Sequence, residues 1–136
     1  MRKTIVLLAA LSGCAAPRTD HLPAAPGALG PYSAAVSSGD LVHLSGKIGK
    51  RGGAFAEELG TAIDAVEADL RAVGLGLEDV LSVNVFVTDM ELYTELNKIY
   101  GERFPRPYPA RTTVGVASLP GGARVEIQAV ARRRRG

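Results

Sequence analysis

One cysteine, two histidines and no apolar run of bilayer length set the first limits on this 136-residue chain. With Cys14 alone, no disulfide can form within the chain. His21 falls in a proline- and glycine-rich segment and His43 in a strand pattern, neither with partners at ligand spacing, so metal ligation is not expected. His43 reads as a strand residue with a satisfied ring. The uncharged stretch Thr4 to Ser12 spans nine residues, whereas a membrane-crossing helix needs ~20. Gly49, Gly52 and Gly53 precede a helix but lack the Lys-Ser/Thr pair of a phosphate-cradling loop. No nucleophile elbow, no serine-histidine-acid order and no internal repeat is present.

Hydrophobic residues make up 46% of the chain, which argues for an ordinary buried core in one domain. The formal charge of +2 is carried by the ends. Without Arg2 and Lys3, 14 basic residues face 14 acidic ones; without Arg132 to Arg135 as well, 10 face 14, a net of −4. A body of that sign has no broad basic face for phosphates, so nucleic-acid binding is not expected.

Arg2 and Lys3 form a positive n-region, Thr4 to Ala10 an apolar h-region, and Leu11-Ser12-Gly13-Cys14 a lipobox. Residues 1–13 are therefore predicted to be a lipoprotein signal, with Cys14 acylated and neither catalytic nor disulfide-bonded. The protein would then be lipid-anchored on the periplasmic or outer-membrane side; without a functional signal it would be cytoplasmic. Residues 14–30, with Pro17, Pro23, Pro26, Gly27 and Gly30, read as a flexible tether reaching about 50 Å at ~3.3 Å per residue.

The domain is predicted over 31–132, followed by a solvated basic tail at 133–136. Ser33 to Ser37 and Leu41 to Ser45 read as strands joined by a Ser38-Gly39-Asp40 turn. Leu59, Ile63, Val66, Leu70 and Val73 recur at helical spacing, predicting a helix over Phe55 to Val73 that Gly74 stops. Glu57 and Glu58 fall in its first turn, where the macrodipole favours them. From Val80 to Val87, Leu81, Val83, Val85 and Val87 face one way and Ser82 and Asn84 the other. Thr88 and Glu91 form a capping box for a second helix with Tyr93, Leu96, Tyr100 and Phe104 inward, ended by Pro105. Ala110 to Ala117 and Arg124 to Ala131 are the last strands. The order β-β-α-β-α-β-β puts two helices on one face of a mixed α+β sheet of five or six strands. The other face carries Phe86 and Val80 and predicts a homo-oligomer with sites where subunits meet.

Alternation puts Arg111, Thr113 and Gly115 on one face of their strand, and Glu126 and Gln128 opposite Val125, Ile127 and Ala129. A hairpin between these two strands would set an arginine and a carboxylate on one side of the sheet. An arginine fork binds a carboxylate, and a glutamate accepts a proton from water. The same two residues would also serve as an ordinary ion pair.

Gly30-Pro31-Tyr32-Ser33, Leu41 to Ile48, Val83 to Met90, Leu96 to Tyr100, Pro109 to Val114, Leu119-Pro120 and Val125-Glu126-Ile127 resemble, in order, the segments of the RidA/YjgF family. The resemblance implies a chorismate-mutase-like α+β domain, assembled as a homotrimer with clefts between subunits. It also implies hydrolytic deamination of 2-imino acids such as 2-aminoacrylate and its imine, with no metal or organic cofactor. By position, Arg111 would hold the substrate carboxylate and Glu126 would orient or activate water. Tyr32, Ser45 and Asn97 would line the pocket, with the backbone at Thr113 positioning the water. Lys47, Gly49 and Thr113 depart from the family's usual Gln, Pro and Cys or Ser, and the loop after Gly49 is shorter. Two other readings stand beside it: a non-catalytic module that uses the same arginine to hold a small carboxylate or amino acid, and a ribonuclease or translation inhibitor supported only by the Arg132 to Arg135 run.

Overall fold

Two helices lie on one face of a seven-stranded mixed sheet, the layering that the apolar spacing predicts. The computed structural model describes residues 19–134. The lipobox, Cys14 and the last two residues lie outside them.

The strands are β1 (Thr19–Pro23), β2 (Ser33–Ser38), β3 (Leu41–Leu44), β4 (Lys47–Ile48), β5 (Val80–Val87), β6 (Ala110–Gly115) and β7 (Val125–Arg132). The helices are α1 (Phe55–Ala72) and α2 (Tyr93–Arg103). The sheet runs β1-β2-β3-β7-β5-β6, and β4 continues the β3 side against β7. Only β5 and β6 are parallel, joined across α2. Such a crossover delivers the second strand beside the first. The free edge of β5 is then taken by β7.

The α1 stripe performs as its spacing requires: Leu59, Ile63, Val66 and Leu70 are fully buried. Burying each such side chain contributes ~1.5–3 kcal/mol. The helix stops because Gly74 takes φ +77. Its N–H then reaches Arg71 O at 3.0 Å and the next N–H, of Leu75, reaches Leu70 O at 2.9 Å, a Schellman closure. Glu58, expected merely to complement the helix dipole, is 1% exposed. Its two oxygens accept from the backbone N–H and Nε of Arg124, each at 2.7 Å.

Four expectations are corrected. Thr19–Pro23, placed in a tether, forms an edge strand on β2. An edge strand is held by backbone hydrogen bonds, which need no apolar period. In β5 the register shifts between Val80 and Ser82. This bulge turns Val80 into the core and leaves Leu81 45% exposed, so Val80 is absent from the uncovered face. Ahead of α2 the side-chain cap is Asp89 and not Thr88: it accepts from Glu91 N–H at 2.8 Å at the start of a 3-10 turn, Met90–Leu92, that leads into the helix, whose own N-cap Leu92 makes no side-chain bond. The basic run is docked through Arg134: Arg133 N–H bonds Asp40 O at 2.8 Å, and Arg134 pairs with Asp79 and Glu78. Carboxylates on the turn before β5 neutralise it there.

Candidate functional site

Arg111 occupies the second position of edge strand β6, opposite Val83 of β5. Val83 is a core residue, and register partners share a face. Arg111 therefore points to the helix side, beneath α2. Tyr93 and Asn97 stand four apart on that helix and present one face, with Tyr100 a further turn on. Arg111 Nη2 donates to Asn97 Oδ1 at 2.6 Å and to the Tyr93 hydroxyl at 3.3 Å. The guanidinium carbon lies 4.6 Å from the Tyr100 ring centroid and 5.8 Å from that of Tyr93. Among the described residues it makes no ion pair. A cavity of about 300 Å³ opens here, lined by Asn97, Tyr100, Gly101, Tyr108, Pro109 and Arg111. Burial pushes the Tyr100 phenol up to about 12, with the Arg111 charge pulling the other way. Thr113 shares this face, and its buried hydroxyl has no hydrogen-bond partner among the described residues.

Glu126 lies in β7 opposite Phe86 of β5 and Ile48 of β4. Its neighbours Val125 and Ile127 are fully buried, so Glu126 faces the side that no helix covers. There it joins Tyr32, Ser45, Gly46, Ile48 and Pro120 around a cavity of about 310 Å³. Ser45 is tied down by its hydroxyl, which donates to Ser33 O at 2.6 Å. Gly46 leaves room for the carboxylate: a Cβ there would overlap the Glu126 side chain, which would have to move.

The sequence-predicted residues thus gather in two groups. Asn97, Arg111 and Thr113 meet on the helix side, and Tyr32, Ser45 and Glu126 on the open side. The expected hairpin does not exist: β5 lies between β6 and β7, and Arg111 and Glu126 stand three positions apart along it. That offset is about 10 Å along the sheet and about 10 Å across it, on opposite faces. They form neither an ion pair nor a shared cleft within one chain. Tyr93, Tyr100 and Gly46 were missed as site residues. The helix period pointed to the two tyrosines only as core, and Gly46 carried no signal until Glu126 was placed.

Lys47 faces α1 and pairs with Asp69, away from the Glu126 cavity. His43 is an exposed strand residue between Val36 and Val130, with its ring at the surface. His21 Nδ1 lies 3.2 Å from Ser33 Oγ. No cluster of three potential metal ligands occurs among the described residues, and no described helix is long and apolar enough to cross a membrane.

The sequence profile of a family described as "Endoribonuclease L-PSP" matches residues 22–133. A Dermatophagoides farinae protein named 2-iminobutanoate/2-iminopropanoate deaminase is 40% identical over 115 residues, covering 79% of this chain and 90% of that one. Among solved structures, YEO7 of yeast superposes with a TM-score of 0.81 at 31% identity, over 86% of this chain and all of that one. RidA from the Antarctic bacterium Psychrobacter sp. PAMC 21119 gives 0.75 at 34% identity, over 87% and 98%.

Proposed function

The chain belongs to the Endoribonuclease L-PSP family, the RidA/YjgF proteins, and on that premise we propose that it hydrolyses the C=N bond of 2-imino acids. The substrates are of the 2-aminoacrylate and 2-iminopropanoate type, and the products are the 2-oxo acid and ammonia. The observation that carries this reading is Arg111, an always-charged fork braced by Asn97 at 2.6 Å and facing a cavity with no carboxylate of its own.

The chemistry asks for little more. Arg111 grips the α-carboxylate and so fixes the electrophilic carbon, a proximity effect worth more than base strength. On the protonated imine, Glu126 takes a proton from the attacking water as the C–O bond forms and the C=N π pair moves to nitrogen. It returns that proton to the nitrogen of the carbinolamine. As the C–N bond breaks the hydroxyl proton leaves to Glu126, the C=O forms, and ammonia departs to be released as ammonium. Tyr32 and Ser45 wall the Glu126 side, and Thr113 lies beside the carboxylate grip. Since one chain holds the two groups on opposite faces, the site is completed where the Arg111 half of one subunit meets the Glu126 half of the next. The row of exposed Val114 and half-buried Phe86 beside Glu126 supplies apolar surface for that contact. A homotrimer, with three such clefts, is the assembly in this reading.

Subunit mixing tests both parts. Arg111→Ala and Glu126→Gln oligomers are each expected to be inactive on 2-iminopropanoate generated in situ. Random exchange between them leaves about a quarter of the interfaces with both groups intact, so activity returns on mixing. No return of activity in verified mixed oligomers would end the shared-cleft reading, and a wild-type protein that does not accelerate imine hydrolysis would end the enzyme reading. The pairing of Arg134 with Asp79 and Glu78 takes up one of the four arginines on which the ribonuclease reading rests. Export and acylation at Cys14 form a separate proposal resting on the lipobox, tested by mass spectrometry of the mature N terminus.

A further inference from the structure

The wall of the Arg111 cavity continues into a second cation. Beyond Tyr100, the ring of Tyr108 lies 6.5 Å away, tilted by 55°, and is held by its hydroxyl donating to Gly101 O at 3.2 Å. Over the Tyr108 ring, at 4.7 Å from its centroid, sits the guanidinium of Arg106. Arg111, Tyr100, Tyr108 and Arg106 therefore form a continuous ladder in which two aromatic rings stand between two cations. The two arginines share a decisive property: among the described residues neither is neutralised by a carboxylate. Arg103, three residues before Arg106, is the contrast, engaged by Asp64 and Glu67. No acidic side chain lines the cavity. Arg111 lines the cavity and Arg106 stands over Tyr108, one of its lining rings; two unneutralised guanidinium groups so placed favour a ligand carrying two negative charges.

We propose that Arg106 is a specificity-determining residue that binds a second carboxylate, so that the preferred substrates are 2-imino dicarboxylic acids such as 2-iminoglutarate. The proposal rests on the deaminase reading and refines its substrate class. Arg111 takes the α-carboxylate, as for any 2-imino acid. The substrate side chain runs along the Tyr100 and Tyr108 rings, and its terminal carboxylate meets Arg106 at the cavity rim. A neutral side chain finds no partner there. Arg106 is exposed, and the ring it lies on, Tyr108, is itself exposed and outside the core, so its replacement is expected to leave the domain folded.

The test compares kcat/KM for 2-iminoglutarate and 2-iminopropanoate, each generated in situ by an amino-acid oxidase, in wild type and Arg106→Gln. One charge-assisted contact predicts a wild-type ratio of about ten in favour of the dicarboxylate. In Arg106→Gln the ratio falls to about one, and in Arg106→Glu the preference inverts. A wild-type ratio at or below one, or a ratio that Arg106→Gln leaves unchanged, overturns the proposal while the deaminase reading stands. If no imine is turned over, the deaminase reading fails, and calorimetric binding of 2-oxoglutarate against 2-oxobutanoate decides the second carboxylate alone. Tighter binding of 2-oxoglutarate that Arg106→Gln abolishes supports the subsite, and equal binding of the two acids removes it.

Discussion

The guanidinium of Arg111 rests 4.6 Å from the Tyr100 ring centroid, and the Tyr100 hydroxyl, buried beneath it, has no hydrogen-bond partner among the described residues. The ring and the hydroxyl of one residue therefore have separable effects. A face-on aromatic ring holds the plane of a guanidinium at a value of ~0.5–2 kcal/mol. Tyr100→Leu is expected to raise KM for 2-iminopropanoate by roughly tenfold with kcat little changed. Tyr100→Phe restores KM without lowering Tm. Equal KM in the two variants would leave Tyr100 a packing residue only.

The same phenol has a pH signature. Its folded value of about 12 is above the ordinary ~10. The folded state therefore holds the proton more tightly than the unfolded chain. The resulting stability is present below pH ~10 and is lost as pH rises through the folded value. Ultraviolet titration should show one tyrosine ionising late, and Tyr100→Phe should remove that late phase.

Gly46 is a second point of control. Any Cβ at that position overlaps the Glu126 carboxylate, so Gly46→Ala must swing Glu126 out of its cavity. Loss of kcat by about a hundredfold, the scale of a displaced general base, is expected together with a native circular dichroism spectrum. Wild-type kcat in Gly46→Ala would show that Glu126 acts from another position or not at all.

The buried carboxylate of Glu58 joins α1 to the start of β7 through Arg124. Glu58→Ala strands the Arg124 N–H donors and is expected to destabilise by about 2–4 kcal/mol, read from the urea midpoint. Glu58→Gln, which keeps one acceptor, should lose less.

Asp79 sets the acid limit of the C-terminal clasp. The hydrogen bond from Arg134 and the Gly76 N–H hold its carboxyl below the usual aspartate value, against the opposing effect of burial. The stability this provides is full above the unfolded value of ~4 and disappears as pH falls through the lower folded value. Asp79→Asn should lower Tm at pH 7, and the difference from wild type should shrink below pH 4. A constant difference down to pH 2 would show that Asp79 acts by packing and not by charge.

Much of this molecule could be read from periodicity alone. Leu59, Ile63, Val66 and Leu70 announce α1. Gly74 announces its end, and the alternation of Val125, Ile127 and Ala129 places Glu126 on the uncovered face. The strings around Tyr32, Arg111 and Glu126 identify the family. These signals are local: a helix or strand buries one face, and residue spacing records which.

Tertiary structure decided everything that depends on which strand neighbours which. Alternation orients Arg111 and Glu126 each within its own strand. Their relation to one another depends on β5 entering between β6 and β7, and the α2 crossover sets that. The strand at Thr19–Pro23 is held by backbone hydrogen bonds to β2, which leave no side-chain period behind. The bulge at Val80 exchanges core and surface through one extra residue, and Arg134 found carboxylates, Asp79 and Glu78, far away in sequence. In each case the cause is a contact between distant segments, and no spacing along the chain encodes it.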